Sequence, residues 1–223
     1  MLNSVCVIIP AYNEQEKISH VVDYTKRFVS DIVVVDDGSE DKTEEAALDA
    51  GAVVLRHEKN LGKGMALRTG LDYAEQCGYR FAVTMDADGQ HDSAEIPNLL
   101  VEIERSGADM VIASRMRHKA EMPLIRRFTN GLMSAVLSIL VKKNCSDTQS
   151  GFRAVAVKKT VNLSLKTNRF DIESELFINA VHAGMRIREV DVCSIYKGNE
   201  CSKIKVLPDT IRFVYLVIKN VIY

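Results

Sequence analysis

"FAVTMDADGQHD", residues 81–92, joins an apolar run to two carboxylates. Phe81–Met85 reads as a short buried strand. It stops at Asp86, and Asp88 follows one residue later. Two acids so close are unfavourable unless something positive lies between them. Outward from this stretch, "VCVII" (5–9), "DIVVV" (31–35), "AVVLRH" (52–57) and "DMVIAS" (109–114) read as further strands. Helical patterns separate them. In "NEQEKISHVVDYTKRFV" (13–29), Ile18, Val21, Val22, Thr25 and Phe28 fall on one face, and Asn13 with Glu16 has capping-box spacing. "KTEEAALDAG" ends at Gly51 and "GKGMALRTGLDYAEQCG" at Gly78, and "AEIPNLLVEIERSG" is a further helix.

Such alternation predicts an α/β fold, a Rossmann-like, mostly parallel sheet flanked by helices. Ligands of these sheets bind outside the carboxyl ends of the strands. "PAYNE" (10–14), "DDGSED" (36–41) and "DADGQH" (86–91) all follow strands, so they are expected to meet in one cleft.

The 223 residues fit a single domain, 1–223, with a nucleotide- and metal-binding half (1–115) and an acceptor-binding half (116–223). A hydrophobic share of 47% beside 26% charged residues suits a soluble globular chain, and a net charge of −1 excludes a general nucleic-acid binder. The charge is uneven: Arg115, Arg117, Lys119, Arg126 and Arg127 face only Glu121 in their segment, a pattern suited to phosphate or anionic lipid. Five cysteines without a C-x-x-C argue against zinc and disulfides and for a reducing compartment. With no signal-peptide pattern at the start and no run of about 18 apolar residues, a cytoplasmic location is expected, peripheral at a membrane's cytoplasmic face. "RRFTNGLMSAVLSILVKK" (126–143) reads as an amphipathic helix. Its polar stripe is Arg127, Asn130, Ser134, Ser138 and Lys142, opposite Leu132, Met133, Val136, Leu137, Ile139 and Leu140. It suits either a membrane surface or a protein interface. "TIRFVYLVIKNVIY" (210–223) is a second such candidate.

Familiar motifs fail. An EF-hand counted from Asp86 would put Gly at His91 and Glu at Pro97, "GKG" lacks the upstream Gly of a phosphate loop, and "IPAYNE" is no G-x-G-x-x-G. What remains is D-x-D at a strand end. Its hard oxygens suit Mg²⁺ or Mn²⁺, with Gln90 as a neutral third ligand on the same side, although a lone D-x-D is often only a polar turn.

The motifs "IIPAYNEQEKI", "VVVDDGSEDKT", "NLGKGMALRTGL", "MDADGQHD", "ASR", "DTQSGFRA" and "SK" stand in the order found in inverting glycosyltransferases of family 2. They resemble most its dolichyl- or polyprenyl-phosphate mannose (hexose) synthase-like branch, across about residues 4 to 208. The resemblance implies a GT-A fold and a metal-dependent transfer of a hexose, mannose or glucose type, from GDP-mannose or a UDP-hexose to a polyprenyl phosphate. It implies that Pro10, Tyr12, Glu14, Val35 and Asp37 line the nucleoside. Asp86, Ala87, Asp88 and Gln90 hold metal and diphosphate, and Arg115 faces the phosphates. Arg126, Arg127, Ser150 and Arg153 become acceptor-phosphate candidates, and Lys203 closes over the diphosphate. Asp88, Arg115 and Lys203 form the catalytic set.

Plainer readings stand beside these. Pro10 can simply end a strand, Asn13 cap a helix, Asp36 form a turn, and Arg153 pair with a carboxylate. Asp171 of "FDIESEL" (170–176) can be a cap, with Glu173 and Glu175 exposed. His91 lies over the sugar or merely on the turn. The absence of Trp excludes the Q-x-x-R-W polysaccharide synthases. A transferase to a hydroxyl acceptor, with Asp171 or Glu173 as base, is the alternative; a non-catalytic sugar-nucleotide-binding relative is another. A second copy or a separate membrane protein is a further expected partner. "ASR" replaces the branch's frequent G-[ST]-R but keeps the arginine.

Overall fold

A computed structural model describes residues 4–116, 124–168 and 171–193. The five strands expected from the sequence form: β1 (Val5–Ala11), β2 (Asp31–Asp36), β3 (Val53–Arg56), β4 (Phe81–Thr84) and β5 (Met110–Ser114). Two more, β6 (Arg153–Ala156) and β7 (Ile187–Asp191), complete a seven-stranded sheet of order β3-β2-β1-β4-β6-β5-β7. Every pairing is parallel except those of β6, which runs antiparallel to β4 and β5. This is the mostly parallel GT-A arrangement.

The helices are α1 (Ile18–Thr25), α2 (Thr43–Asp49), α3 (Lys63–Gln76), α4 (Ile96–Ser106), α5 (Leu124–Leu140), α6 (Val157–Thr160) and α7 (Ile172–His182). Because side chains alternate across a strand, the apolar runs feed two cores. Val5, Val7, Ile9, Ile32, Val34, Val111 and Ala113 meet α1 and α4 on one face. Cys6, Ile8, Val33, Val35, Met110 and Ile112 meet α3, α5 and α7 on the other. Among the described residues, no helix is long and apolar enough to cross a membrane.

Two expectations are corrected. Residues 14–17 form a turn, so α1 starts only at Ile18, and Asn13 caps nothing. With φ of +52°, Asn13 instead accepts the Glu40 N–H at 2.9 Å, while its own N–H donates to Ser39 Oγ. The Glu14 N–H donates to Thr43 Oγ1 at 2.8 Å and that of Gln15 to Asp41 at 3.2 Å. These cross-links stitch the loop after β1 to the loop after β2, which is why a longer helix cannot form there.

The second correction concerns α5. Ser134 and Ser138 point inward. Ser134 Oγ accepts the Thr148 N–H at 3.0 Å, and Ser138 Oγ both accepts from and donates to the Cys145 backbone at 3.1 Å. Leu137 is buried, with Met133, Val136 and Leu140 packed beside it. Leu132 and Ile139 lie on the outer face, 55% and 78% exposed, with Phe128 (72%) and Ala135. The second amphipathic stretch, 210–223, lies outside the described residues.

Candidate active site

The strand order reverses between β1 and β4, and a cleft opens beyond the carboxyl ends of such neighbours. Asp86 emerges there, two residues past β4. Lys63 Nζ, on the first residue of α3, lies 2.5 Å from Asp86 Oδ1 and 2.5 Å from Glu173 Oε1 of α7. His91 Nε2 is 3.4 Å from Asp86 Oδ2, its ring packed against Phe152 with centroids 5.1 Å apart. Burial alone would raise the Asp86 pKa, but Lys63 and His91 outweigh it and hold the carboxyl far below the usual range. Burial would likewise depress Lys63, and the two carboxylates instead raise its pKa. Pro10, Thr84, Gly151 and Arg153 complete the walls of this recess.

Asp88 is half-buried. Its Oδ1 accepts the Gln90 N–H at 3.0 Å, an Asx turn in which Gly89 takes φ of +74°. Its second oxygen has no partner among the described residues. Among these residues no three His, Cys, Asp or Glu side chains form a closed metal cluster. One carboxylate with a spare oxygen and a second two residues away still fit a hard cation that completes its shell with water and phosphate.

On the nucleotide side, Pro10, Tyr12 and Glu14 are half-buried. Val35 and Ala87 are core residues, so only their backbones could meet a nucleoside. Asp37 is buried and accepts from His57 Nδ1 at 2.7 Å and from the N–H groups of Leu61 and Gly62 at 2.9 and 2.7 Å. It ties down the loop that leads into Lys63. Asp36 accepts from Ser39 and lies 3.3 Å from Arg56, a buried turn carboxylate as its plainer reading has it.

Arg115, just past β5, forms a two-pronged pair with Asp147: Nε to Oδ2 at 2.8 Å and Nη2 to Oδ1 at 2.9 Å. Asp147 is fully buried, and Arg115 overcomes the cost of that burial to hold its carboxyl below the usual range. The four acceptor-phosphate candidates do not share one surface. Ser150 and Arg153 are interior: Ser150 Oγ accepts the Phe152 N–H at 3.3 Å. Arg153 donates to the carbonyls of Ser150, Thr148 and Glu173, so among the described residues it pairs with the backbone and not with a carboxylate. Arg127 is exposed on α5, Arg126 is described in its backbone alone, and Lys203 lies outside the described residues.

"FDIESEL" is also corrected. Asp171 stands at the N-cap position of α7 but makes no side-chain capping bond, and Glu173 and Glu175 are buried, not exposed. Glu175 accepts the N–H groups of Lys166 and Thr167 at 2.9 Å, which anchors the preceding loop. Lys63 and Asp147 are thus residues of this region that motif reading passed over, and Glu173, weighed there only as the base for a hydroxyl acceptor or as an exposed acid, is instead the ion-pair partner of Lys63. Their signals were present: a lysine opening a helix, an acid in "DTQSG", and acids in the first turn of an otherwise apolar helix.

The model of Glycosyl transferase family 2 matches residues 6–161. The chain belongs to glycosyl transferase family 2. This family 2 chain is 33% identical to the UDP-N-acetylglucosamine–dolichyl-phosphate N-acetylglucosaminyltransferase of Methanococcus voltae, with 85% of each protein covered. It is 30% identical to the undecaprenyl-phosphate mannosyltransferase of Micrococcus luteus, covering 84% of this chain and 82% of that one. Among solved structures, glucosyl-3-phosphoglycerate synthase of Mycobacterium tuberculosis, in complex with Mn²⁺, UDP-glucose and phosphoglyceric acid, superimposes with a TM-score of 0.72. That likeness covers 97% of this chain and 78% of the other at 22% identity, and it concerns the fold. The chain is a glycosyltransferase by family and by relatives.

Proposed function

We propose that this family 2 transferase moves a hexose, with inversion, from a nucleoside-diphosphate sugar to a polyprenyl phosphate at a membrane surface. The observation that carries the donor half is the placement of Asp86 and Asp88 at the switch point between β1 and β4. The names of the relatives above support the lipid-phosphate acceptor, and the solved neighbour's complex supports a UDP-linked donor with a divalent ion.

Asp86 and Asp88, with Gln90 beside them, are the residues that would hold Mg²⁺ or Mn²⁺. When bound, such an ion offsets charge on the departing nucleoside diphosphate. Pro10, Tyr12 and Glu14 frame the nucleoside end, with the Val35, Asp37 and Ala87 backbones behind them. Asp147 presents Arg115 rigidly toward the phosphates, and Lys203 is assigned the closing cation. A lipid phosphomonoester has a second pKa of about 6 and is already an anion near neutrality. It needs positioning but no general base. Arg126 and Arg127, at the start of α5, are the cations assigned to that task.

The outer face of α5 supports the membrane placement. Phe128, Leu132, Ala135 and Ile139 recur at intervals of four, three and four, one exposed apolar stripe. Exposed Arg127 precedes it and exposed Lys142 and Lys143 follow it, a charge pattern that complements anionic lipid. A hydroxyl acceptor would need a base. Glu173 is in reach of the recess, but it is ion-paired to Lys63. That pairing favours the phosphate acceptor. Asp88→Ala tests the donor half: turnover is expected to fall at least a hundredfold with the melting temperature unchanged, and undiminished turnover would contradict it.

A further inference from the structure

A lysine on the first residue of a helix is disfavoured by the positive end of the helix dipole. Lys63 occupies that position in α3 and is stabilised there by two carboxylates from other parts of the chain, Asp86 and Glu173, each at 2.5 Å. One of these is a carboxylate assigned to the metal. A divalent cation on Asp86 and an ammonium group on the same carboxylate repel one another, so the two compete.

The surroundings allow exchange of the side chain but no drift of the backbone. Gly64 is held by its N–H to the Asn168 carbonyl at 3.0 Å, and a Cβ there would lie 2.4 Å from the Thr167 carbonyl oxygen. Glu173 is fixed through its own carbonyl, which accepts from Arg153 at 3.0 Å. Gly151 leaves space beside the pair: a Cβ would stand 3.1 Å from both Asp86 Oδ1 and Lys63 Nζ.

We propose that Lys63 is an exchangeable counter-ion for the donor site. With the site empty it neutralises Asp86; when cation and nucleotide arrive together it leaves Asp86 and remains tethered by Glu173. The consequence is synergy. A cation alone displaces Lys63 from Asp86 and adds positive charge to the site that nothing offsets, whereas a cation that arrives with a diphosphate brings the compensating anion. Lys63 and Glu173 are here positioning residues. The inference rests on the assignment of Asp86 and Asp88 as the cation's ligands.

The test is Mn²⁺ binding followed by electron paramagnetic resonance, with and without UDP or GDP, on the full chain. Wild type is expected to bind Mn²⁺ at least tenfold more tightly with nucleoside diphosphate than without. Lys63→Met should tighten binding of Mn²⁺ alone at least tenfold, because Asp86 and Glu173 lose their cation. Glu173→Gln should weaken it at least threefold, because without the second carboxylate Lys63 is held more strongly to Asp86. A purely structural role would shift both variants the same way, through misfolding. If wild type gains Mn²⁺ affinity with nucleotide, yet neither variant changes the affinity for Mn²⁺ alone, the counter-ion role is overturned and the metal assignment stands. If wild type binds no Mn²⁺ even with nucleotide, the metal assignment itself is overturned, and the exchange with it.

Discussion

Asp147 shows how much one side chain can organise here. Its fully buried carboxylate grips both prongs of Arg115 and receives the Arg115 N–H at 3.2 Å, while Glu189 Oε1 accepts its own N–H at 3.3 Å. Asp147→Ala removes the carboxylate that both prongs of Arg115 grip, and breaking a buried pair costs about 3–5 kcal/mol. Urea denaturation at neutral pH should show a loss of that order. The pH dependence has a definite sign. Asp147 has a depressed folded-state pKa, so its contribution is complete above the unfolded Asp value of about 3.9 and is lost as pH falls through the folded one. Asp147→Asn should flatten that part of the acid-unfolding profile. Cysteines give a second check. Burial first, then the charges of Asp31 and Cys77, pushes the Cys6 thiol up to about 12, whereas Cys77 is exposed. Alkylation at pH 8 should therefore modify Cys77 in the folded protein and leave Cys6 untouched until unfolding. Asp86 and Asp88 could be singled out at this scale because two acids close together after an apolar run invite a positive charge between them, although the same pattern is often only a polar turn. The pairings of Asp147, Glu173 and Lys63 could not be read, since each forms with a partner at least 23 positions away in the chain.

Elements carry the site through close backbone approaches. α3 brings Lys63 to the cleft because Gly64 lets its first turn press against residues 167 and 168. Gly64→Ala must push that loop aside, since the nearest atoms are backbone, and overpacking of this kind costs about 1–3 kcal/mol. The expected outcome is a lowered urea midpoint together with weaker nucleotide affinity; an unchanged midpoint would remove α3 packing as the anchor of the site. Strands β1 to β5 could be read from their apolar runs because each is bounded by turn residues. β6 and β7 could not: Arg153, Arg188 and Glu189 interrupt their apolar character, and β6 takes its place only by antiparallel pairing with both neighbours. The serines of α5 looked like a solvent face for a related reason. Their inward hydrogen bonds to residues 145–148 are tertiary, and periodicity alone cannot distinguish a polar stripe that meets water from one that meets backbone.

At the scale of the molecule, the order β3-β2-β1-β4-β6-β5-β7 sets the recess around Asp86 beyond the carboxyl ends of β1 and β4, while α5 offers an apolar stripe on the helix that follows Arg115. The alternation of strands and helices was enough to foresee this cleft; which face of α5 stays bare depended on packing. Ile139→Glu, on a residue 78% exposed, should leave the fold intact and reduce flotation with anionic vesicles severalfold. Equal flotation of variant and wild type would detach α5 from the membrane. The central claim is transfer to a lipid phosphate, and its most direct test is nucleoside diphosphate release with Mn²⁺. The donors are GDP-mannose, UDP-glucose and UDP-N-acetylglucosamine, each with and without a polyprenyl phosphate. Release from one donor that depends on the lipid, with the sugar recovered on it, is the predicted result. Release indifferent to the lipid, or none from any donor, would contradict the account.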